Sequence, residues 1–262
     1  MSQNYSKQIT VQDNTLDNVR SKHNWLMLIA IPVWVIACFF VAQLLMMGLM
    51  QLLVMFNISL VSFNQTILSA ALSAFVYSIT LILVIIVPWL IKKYRTTKSD
   101  VGLTRLLSWT DILLAPAGLI VYLIFASLLI YLASLLPWFD IDQVQDVGFD
   151  QISQRFEYIL AFITLVIIAP VAEEIIFRGY LYGKLKKFVP IWVAILATSI
   201  AFAAIHGAWN LAIDTFVLGI VLCLLREITG NIWSSILLHM IKNGIAFYIL
   251  FINPTLLATL GG

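Results

Sequence analysis

Two adjacent glutamates and an arginine, Glu173, Glu174 and Arg178, stand in a long apolar stretch, within APVAEEIIFRGYLY over residues 169–182. Ionisable side chains inside a membrane-spanning helix are costly, and they usually face a protein interior or a water-filled cavity. Successive helical residues point about 100° apart, so the two carboxylates cannot face the same point. Glu174 precedes Arg178 by four residues, the spacing at which a carboxylate and a cation meet on one face. Glu173 is therefore the candidate for chemistry, and Glu174 with Arg178 is its candidate support.

Another interpretation places these three side chains near the basic membrane interface, with the charged groups extended toward the lipid headgroups. We favour the buried site, because Glu173 has a shorter side chain than Arg178 and more hydrocarbon to cross. Pro170, one turn before Glu173, is expected to kink the helix and free backbone groups toward a cavity. Ordinary helix irregularity would explain this proline equally well.

Two histidines follow on later apolar segments. His206 closes the fifth apolar span, within FAAIHG, and the expected turn before that span lies at residues 189–190. Glu173 and His206 are each sixteen residues from this turn. At about 1.5 Å per residue, both are about 24 Å from it and therefore at a matching depth. His239 and Asn243 are four residues apart and share a helix face, where an imidazole and an amide can hold an oxyanion.

Each of these features also has a purely structural explanation. A single histidine at a helix end, such as His206, is usually an interfacial residue. His239 with Asn243 is also typical of a polar pair that bonds between helices. The matching depth of Glu173 and His206 favours a common site. Asp214, near the end of its own apolar segment, is interpreted as an interfacial residue.

The composition is that of a membrane protein. Apolar residues make up 62% of the 262 residues and charged residues 11%, against roughly 45–50% and 25% in soluble domains. A lipid-facing segment must satisfy its own backbone hydrogen bonds, which forces helices here. The predicted fold class is an all-α membrane protein, a polytopic bundle of about seven transmembrane helices. Cys38 and Cys223 lie in apolar runs and are expected to be buried and unpaired.

The seven predicted spans divide the chain into regions. They cover residues 25–56, 66–91, 111–136, 158–182, 189–206, 211–225 and 231–251. The corresponding regions are a polar N-terminal tail over 1–24, N-terminal transmembrane helices over 25–157, a helical core that carries the polar candidates over 158–251 and a C-terminal tail over 252–262. The first apolar run is too long for a signal-peptide core, so we expect it to be retained.

The distribution of charge in the loops predicts the orientation. Lysines and arginines gather in the loop after the second span and after the fourth, and an excess of such residues marks the cytoplasmic side. The opposite side receives an acidic loop whose members are Asp140, Asp142, Asp146 and Asp150. The N-terminus is therefore predicted to be cytoplasmic and the C-terminus external.

Three motifs in this order resemble the signature of the CPBP (Abi) intramembrane proteases. This family includes type II CAAX prenyl endopeptidases and bacterial bacteriocin-processing or self-immunity proteins. The resemblance covers about residues 163–251, and the first three spans show no recognisable motif. The motifs read Glu173-Glu174-x-x-x-Arg178, Phe202-x-x-x-His206 and His239-x-x-x-Asn243.

The resemblance implies a role for each motif. Glu173 would activate the attacking water together with His206. His239 and Asn243 would stabilise the tetrahedral oxyanion, and the ion pair on the first motif would hold the site. It also implies a catalytic helical core that cuts its substrate within the membrane.

Members of this family are often labelled metalloproteases, which makes zinc a candidate cofactor. Glu173, His206 and His239 would supply a His₂Glu zinc site. That assignment leaves only Glu174 as the base, and this glutamate is expected to pair with Arg178. We therefore favour a glutamate-activated water that needs no metal. The HExxH helix of the commonest zinc proteases is absent from the sequence.

The predicted function is that of an endopeptidase acting on a hydrophobic or lipidated, membrane-tethered peptide. A second hypothesis is a non-catalytic bacteriocin self-immunity or peptide-binding membrane protein that uses the same pocket. A proton-coupled transporter ranks last, because the paired broken helices of inverted repeats are missing. The lipid bilayer is the expected environment, with the bacterial plasma membrane favoured by the compact chain. The net charge of +2 gives no reason to expect a nucleic-acid partner.

Overall fold

A computed structural model describes residues 2–59, 63–91, 95–137, 149, 152–206 and 209–256, and side chains from residue 26 onward except 209 and 210. Within these residues the secondary structure is entirely helical, which confirms the predicted fold class. The helices are α1 Ser2–Met55, α2 Gln65–Leu90, α3 Lys98–Val101, α4 Trp109–Ser134, α5 Arg155–Leu185, α6 Ile191–Ala204, α7 Trp209–Thr229 and α8 Trp233–Ile252.

Five of these helices are long and apolar enough to cross a bilayer. They are α2, α4, α5, α8 and the part of α1 from Leu26 onward, and α6 is a shorter apolar helix. The protein is thus an integral membrane protein, with helix boundaries close to the predicted spans. The backbone of α1 also includes the segment assigned to an N-terminal tail. The acidic loop with Asp140, Asp142, Asp146 and Asp150 lies outside the described residues.

Helix α5 occupies the centre of the bundle. Half of its most apolar stretch is buried inside the protein, whereas the corresponding share of the other four spanning helices is 17% to 28%. Its side chains Ile176, Phe177, Leu181 and Leu185 are fully buried in the main hydrophobic cluster. The other spanning helices expose many leucines and isoleucines, as expected for lipid-facing surfaces. Both glutamates of the first motif therefore lie on the most enclosed helix.

The short helix α3 packs against the end of α5 and is held there by charge. Its Asp100 carboxylate accepts hydrogen bonds from Lys184, at 3.1 Å, and from Lys187. Burial by itself raises the pKa of Asp100. The bonds from Lys187, the Thr97 amide and Lys184 outweigh that effect and hold the pKa well below its usual range. Gly183 of α5 permits this approach, because a Cβ there would lie 2.1 Å from the Asp100 carbonyl oxygen.

We predict that Gly183→Ala lowers the free energy of unfolding by about 1–3 kcal/mol, because a methyl group must push α3 away from α5. Thermal unfolding of the detergent-solubilised protein measures the change. Gly48→Ala in α1 is the matched control, since a Cβ at Gly48 meets nothing within 4 Å. Equal effects of the two substitutions would contradict the close contact.

Candidate active site

The predicted ion pair on α5 is present and fully buried. Arg178 Nη1 donates to Glu174 Oε1 at 2.9 Å, and neither side chain is exposed to solvent. The same carboxylate oxygen lies 2.9 Å from His239 Nδ1 on α8. A carboxylate paired with a guanidinium is an acceptor, so His239 Nδ1 carries the proton and donates it to Glu174. Glu174 therefore fixes both the tautomer and the ring orientation of His239.

Glu173 points to a different part of the bundle. Its side chain keeps 10% of its surface exposed, whereas that of Glu174 has none, so Glu173 is the carboxylate that water can reach. The Tyr77 hydroxyl on α2 donates a 2.5 Å hydrogen bond to Glu173 Oε1. The other oxygen, Oε2, is 3.7 Å from His239 Nε2, beyond hydrogen-bond length. Glu173 Oε2 and His239 Nε2 therefore face each other, and neither atom is hydrogen-bonded to another described residue.

His206 approaches Glu173 and His239 from the end of α6. Its Nδ1 lies 2.8 Å from the Phe202 carbonyl oxygen. A carbonyl oxygen only accepts, so Nδ1 is the protonated nitrogen and the neutral ring has a lone pair at Nε2. His206 is close enough to Glu173 and His239 to interact electrostatically with both. The matching depths inferred from the sequence agree with this arrangement.

The ring of Phe202 lies between the charged and polar groups of the site. Its centroid is 4.9 Å from the His206 ring and 5.8 Å from the His239 ring, both with edge-to-face geometry. The Arg178 guanidinium carbon stands 4.2 Å from the same centroid, within the range of a cation–π contact. Phe202 is fully buried, so its position is fixed by packing. The ring therefore contacts both imidazoles and the guanidinium of Arg178.

Asn243 faces α5 as its spacing from His239 predicted, but its amide has a backbone partner. Asn243 Nδ2 donates to the Leu165 carbonyl oxygen at 3.0 Å. Residues Ile163–Ile168 form a π-helical turn, and the Ala169 amide bonds to the carbonyl five residues earlier. In that register the Leu165 carbonyl would accept from residue 170, which is proline and has no N–H. Asn243 supplies the donor that Pro170 lacks.

Two further polar contacts were missed from the sequence. Tyr77 is separated by 96 residues from its partner Glu173, and its only sequence signal was a hydroxyl in an apolar span. Asp214, interpreted as interfacial, lies 3.2 Å from Lys242 Nζ and accepts a hydrogen bond from Tyr122. Lys242 in turn interacts electrostatically with His206. These groups extend the polar region from α8 toward α4 and α7.

The zinc site considered from the sequence does not fit this geometry. Among the described side chains, no three His, Cys, Asp or Glu residues are grouped closely enough to hold a metal ion. His239 Nδ1 is bonded to Glu174, and one oxygen of Glu173 is bonded to Tyr77. These bonds leave Glu173 Oε2 and His239 Nε2 available as donor atoms, so it is the grouping of the side chains, and not their hydrogen bonds, that argues against the ligand set of Glu173, His206 and His239. No step of the mechanism below is therefore assigned to a metal.

Comparison with known proteins gives a similarity that covers the segment in which the site lies. Residues 155–245 match the family described as type II CAAX prenyl endopeptidase Rce1-like. The chain is 29% identical over 89 residues to an uncharacterized 24.3 kDa protein of Escherichia coli, an alignment covering 32% of this chain and 41% of the relative. It is 28% identical over 94 residues to the membrane-embedded CAAX protease MroQ of Staphylococcus aureus (strain USA300), covering 34% and 38%. No solved structure matches the chain.

The matched segment contains all three motifs of the site. The similarity to the CPBP intramembrane proteases that these motifs predicted is thereby confirmed for this segment. The chain spans about two fifths of the length of the curated relatives it matches. The family relationship concerns α5 to α8, the helices that bring Glu173, His206 and His239 together.

The contact between Asn243 and the π-helical turn predicts coupling between Asn243 and Pro170. Asn243→Ala removes the side-chain donor and leaves the Leu165 carbonyl unbonded, which costs about 1–3 kcal/mol of unfolding free energy. Pro170→Ala restores a backbone N–H at that register. In the Pro170→Ala background, Asn243→Ala is therefore expected to cost less than half as much.

A double-mutant cycle on thermal or denaturant unfolding measures this coupling. Asn231→Ala serves as the control substitution, because Asn231 is a buried asparagine just before α8 that donates to Thr104 Oγ1 and to the Arg105 carbonyl oxygen, away from Pro170. The loss of unfolding free energy caused by Asn231→Ala should be the same with and without Pro170→Ala. Additive costs for Asn243→Ala and Pro170→Ala would disprove the proposed exchange of donors.

Proposed function

We propose that this protein is a CAAX-protease-type membrane endopeptidase. The observation that carries the proposal is a carboxylate that water can reach, Glu173, beside two imidazoles, with a buried ion pair behind it. The similarity to the Rce1-like family and to a CAAX protease supports hydrolysis of peptides. We further propose a bacterial plasma membrane location with the N-terminus in the cytoplasm.

In the proposed mechanism, Glu173 and His206 activate the attacking water. Tyr77 holds Oε1 of Glu173, which leaves Oε2 as the atom that accepts a proton from the water. His206 Nε2, with its lone pair, accepts a second hydrogen bond and orients the water for attack. The water oxygen bonds to the peptide carbonyl carbon, and its proton passes to Glu173. The protonated Glu173 then donates to the leaving nitrogen as the C–N bond breaks.

His239 and Asn243 are proposed to stabilise the oxyanion that forms on the carbonyl. A carboxamide nitrogen carries two protons, so Asn243 retains a second donor besides the one bonded to Leu165. His239 Nδ1 is committed to Glu174, so Nε2 donates only when the ring is an imidazolium. Fixed donors in a water-poor site stabilise developing negative charge more strongly than water does. Glu174 and Arg178 act as positioning residues in this scheme.

The site's burial also favours the proposed class of substrate. The catalytic groups lie among membrane-spanning helices, where a hydrophobic or lipidated peptide can enter from the bilayer. A membrane tether would hold the peptide near the site and lower the entropic cost of encounter. The few water molecules admitted beside Glu173 would be available for attack, while bulk water is excluded.

The test is Glu173→Gln, which keeps the shape of the side chain and removes its basic carboxylate. We expect cleavage to fall by about 10²–10⁴-fold, the usual contribution of a general base. Peptides that accumulate in membranes carrying wild-type protein or the variant, compared by mass spectrometry, provide the measurement. The substrates should accumulate uncut with the variant, and their products should disappear.

Glu227→Gln is the matched control. Glu227 also accepts a phenolic hydrogen bond, from Tyr182 at 2.6 Å, and it pairs with Lys186 at 2.8 Å, outside the site. This substitution should leave the peptide profile as in wild type. A Glu173→Gln variant that gives the same peptide profile as wild type, with no substrate accumulating and any immunity phenotype retained, would instead indicate the non-catalytic binding function.

A further inference from the structure

A groove separate from the catalytic groups opens at the basic end of the bundle. It encloses about 370 Å³ between α1, α2 and α5, within the range of about 300–1,000 Å³ typical of ligand pockets. Exposed residues such as Ala30 and Ile91 border it, so it is open on the side where lipid would lie. Its lining includes Trp34, Ile91, Arg95, Tyr180, Lys184 and Lys187.

The polarity of the groove changes along its length. Trp34 and Tyr180 lie deeper in α1 and α5, while Arg95, Lys184 and Lys187 stand at the mouth. Tyr180 precedes Lys184 by four residues, or about 6 Å along the helix. An apolar floor with a cationic mouth matches a molecule that has a hydrocarbon chain and an anionic head.

Among the described residues, the positive charge at the mouth is only partly balanced. Lys184 and Lys187 share the single carboxylate of Asp100, and Lys184 also donates to the Arg95 carbonyl at 2.7 Å. The exposed Arg95 guanidinium stands 5.9 Å from the centroid of the Trp89 ring. Three cations against one carboxylate leave an excess of two positive charges around the opening. An anion bound there would gain from that excess.

A second, independent feature points to a bound group. The indole nitrogen Nε1 of Trp34, on the wall of the groove, is buried and has no hydrogen-bond partner among the described residues. A buried N–H without an acceptor costs free energy, and native structures usually satisfy such donors. An ester oxygen of a lipid, located between its head and its chains, would provide the missing acceptor.

We propose that this groove binds an anionic phospholipid. The phosphate lies against Arg95, Lys184 and Lys187, an ester oxygen accepts from Trp34 Nε1, and one acyl chain follows the apolar wall of α1. Basic pockets between membrane helices on the cytoplasmic side are recognised sites for anionic headgroups. The proposal does not depend on peptidase activity, because none of these residues belongs to the catalytic site.

Native mass spectrometry of the full-length protein in detergent, titrated with dioleoyl phosphatidylglycerol or dioleoyl phosphatidylcholine, tests the site. The wild-type protein should bind phosphatidylglycerol more tightly than phosphatidylcholine. Arg95→Ala should weaken phosphatidylglycerol binding about fivefold, the loss expected from one cation near an anionic lipid. Lys98→Ala, which removes an exposed cation at the start of α3 and outside the groove, should change binding less than twofold.

Two further variants test the depth of the site. Trp34→Phe keeps an aromatic ring and removes the N–H, so it should weaken the binding of both phospholipids by a similar factor. Ala30→Trp places a large ring in the groove from an exposed position and should abolish specific binding of both. Unchanged thermal unfolding of lipid-free protein shows that each variant is folded.

Several results would overturn the proposal. One is equal affinity of the wild-type protein for the two phospholipids. Another is an equal loss of phosphatidylglycerol affinity in Arg95→Ala and in Lys98→Ala. A third concerns N-acetyl-S-farnesylcysteine methyl ester, a neutral prenyl compound. If it displaces phosphatidylglycerol and binds equally well to wild type and Arg95→Ala, the groove holds a substrate's lipid chain and not a phospholipid.

Discussion

The buried ion pair between Glu174 and Arg178 is the interaction on which the site depends. Removing two charges from water costs several kcal/mol each, and their attraction repays this only with good geometry and further hydrogen bonds. Here the pair is incompletely satisfied: Glu174 Oε2, Arg178 Nε and Arg178 Nη2 are buried without hydrogen-bond partners among the described residues. Such a pair is a poor means of stabilising a bundle. Its contacts with His239 and Phe202 indicate that it orients the site.

Helix α5 presents two chemically identical carboxylates to two different environments. One lies against an arginine and a histidine with no exposure, and the other contacts Tyr77 and retains a small accessible surface. The stretch of α5 that carries both glutamates is flanked by π-helical turns at Ile163–Ile168 and Ile175–Leu181. Such turns occur frequently at functional sites, and they alter which side chains share a face. The first one also creates the backbone acceptor that Asn243 binds.

The sequence predicted those parts of the structure that depend on spacing within one helix. The pairing of Glu174 with Arg178 follows from four-residue spacing, and the spans follow from lengths of apolar sequence. The convergence of Glu173 with His206 came from counting residues out from one turn. Contacts between distant segments could not be found in this way. Tyr77 and the partners of Asp214 depend on how helices rotate against one another, which hydropathy does not record.

Other parts of the site depend on details that no motif states. The role of Asn243 follows from a π-helical register, which is a tertiary effect, combined with the missing N–H of Pro170. Phe202 was visible only as a motif position, because ring packing against two imidazoles and a guanidinium has no signature in a single sequence. The same limit applies to the lipid groove, whose cations come from a loop and from the end of α5.

The most direct test compares Arg178→Met with the double variant Glu174→Leu/Arg178→Met. The single change leaves the buried Glu174 carboxylate without its guanidinium partner and should lower the unfolding free energy by about 3–5 kcal/mol, whereas the double change should recover most of that loss. The stable double variant should still fail to cleave the peptides that accumulate with Glu173→Gln, because His239 has lost the acceptor that orients it. Wild-type cleavage by a stable double variant would show that the ion pair has no part in positioning the site.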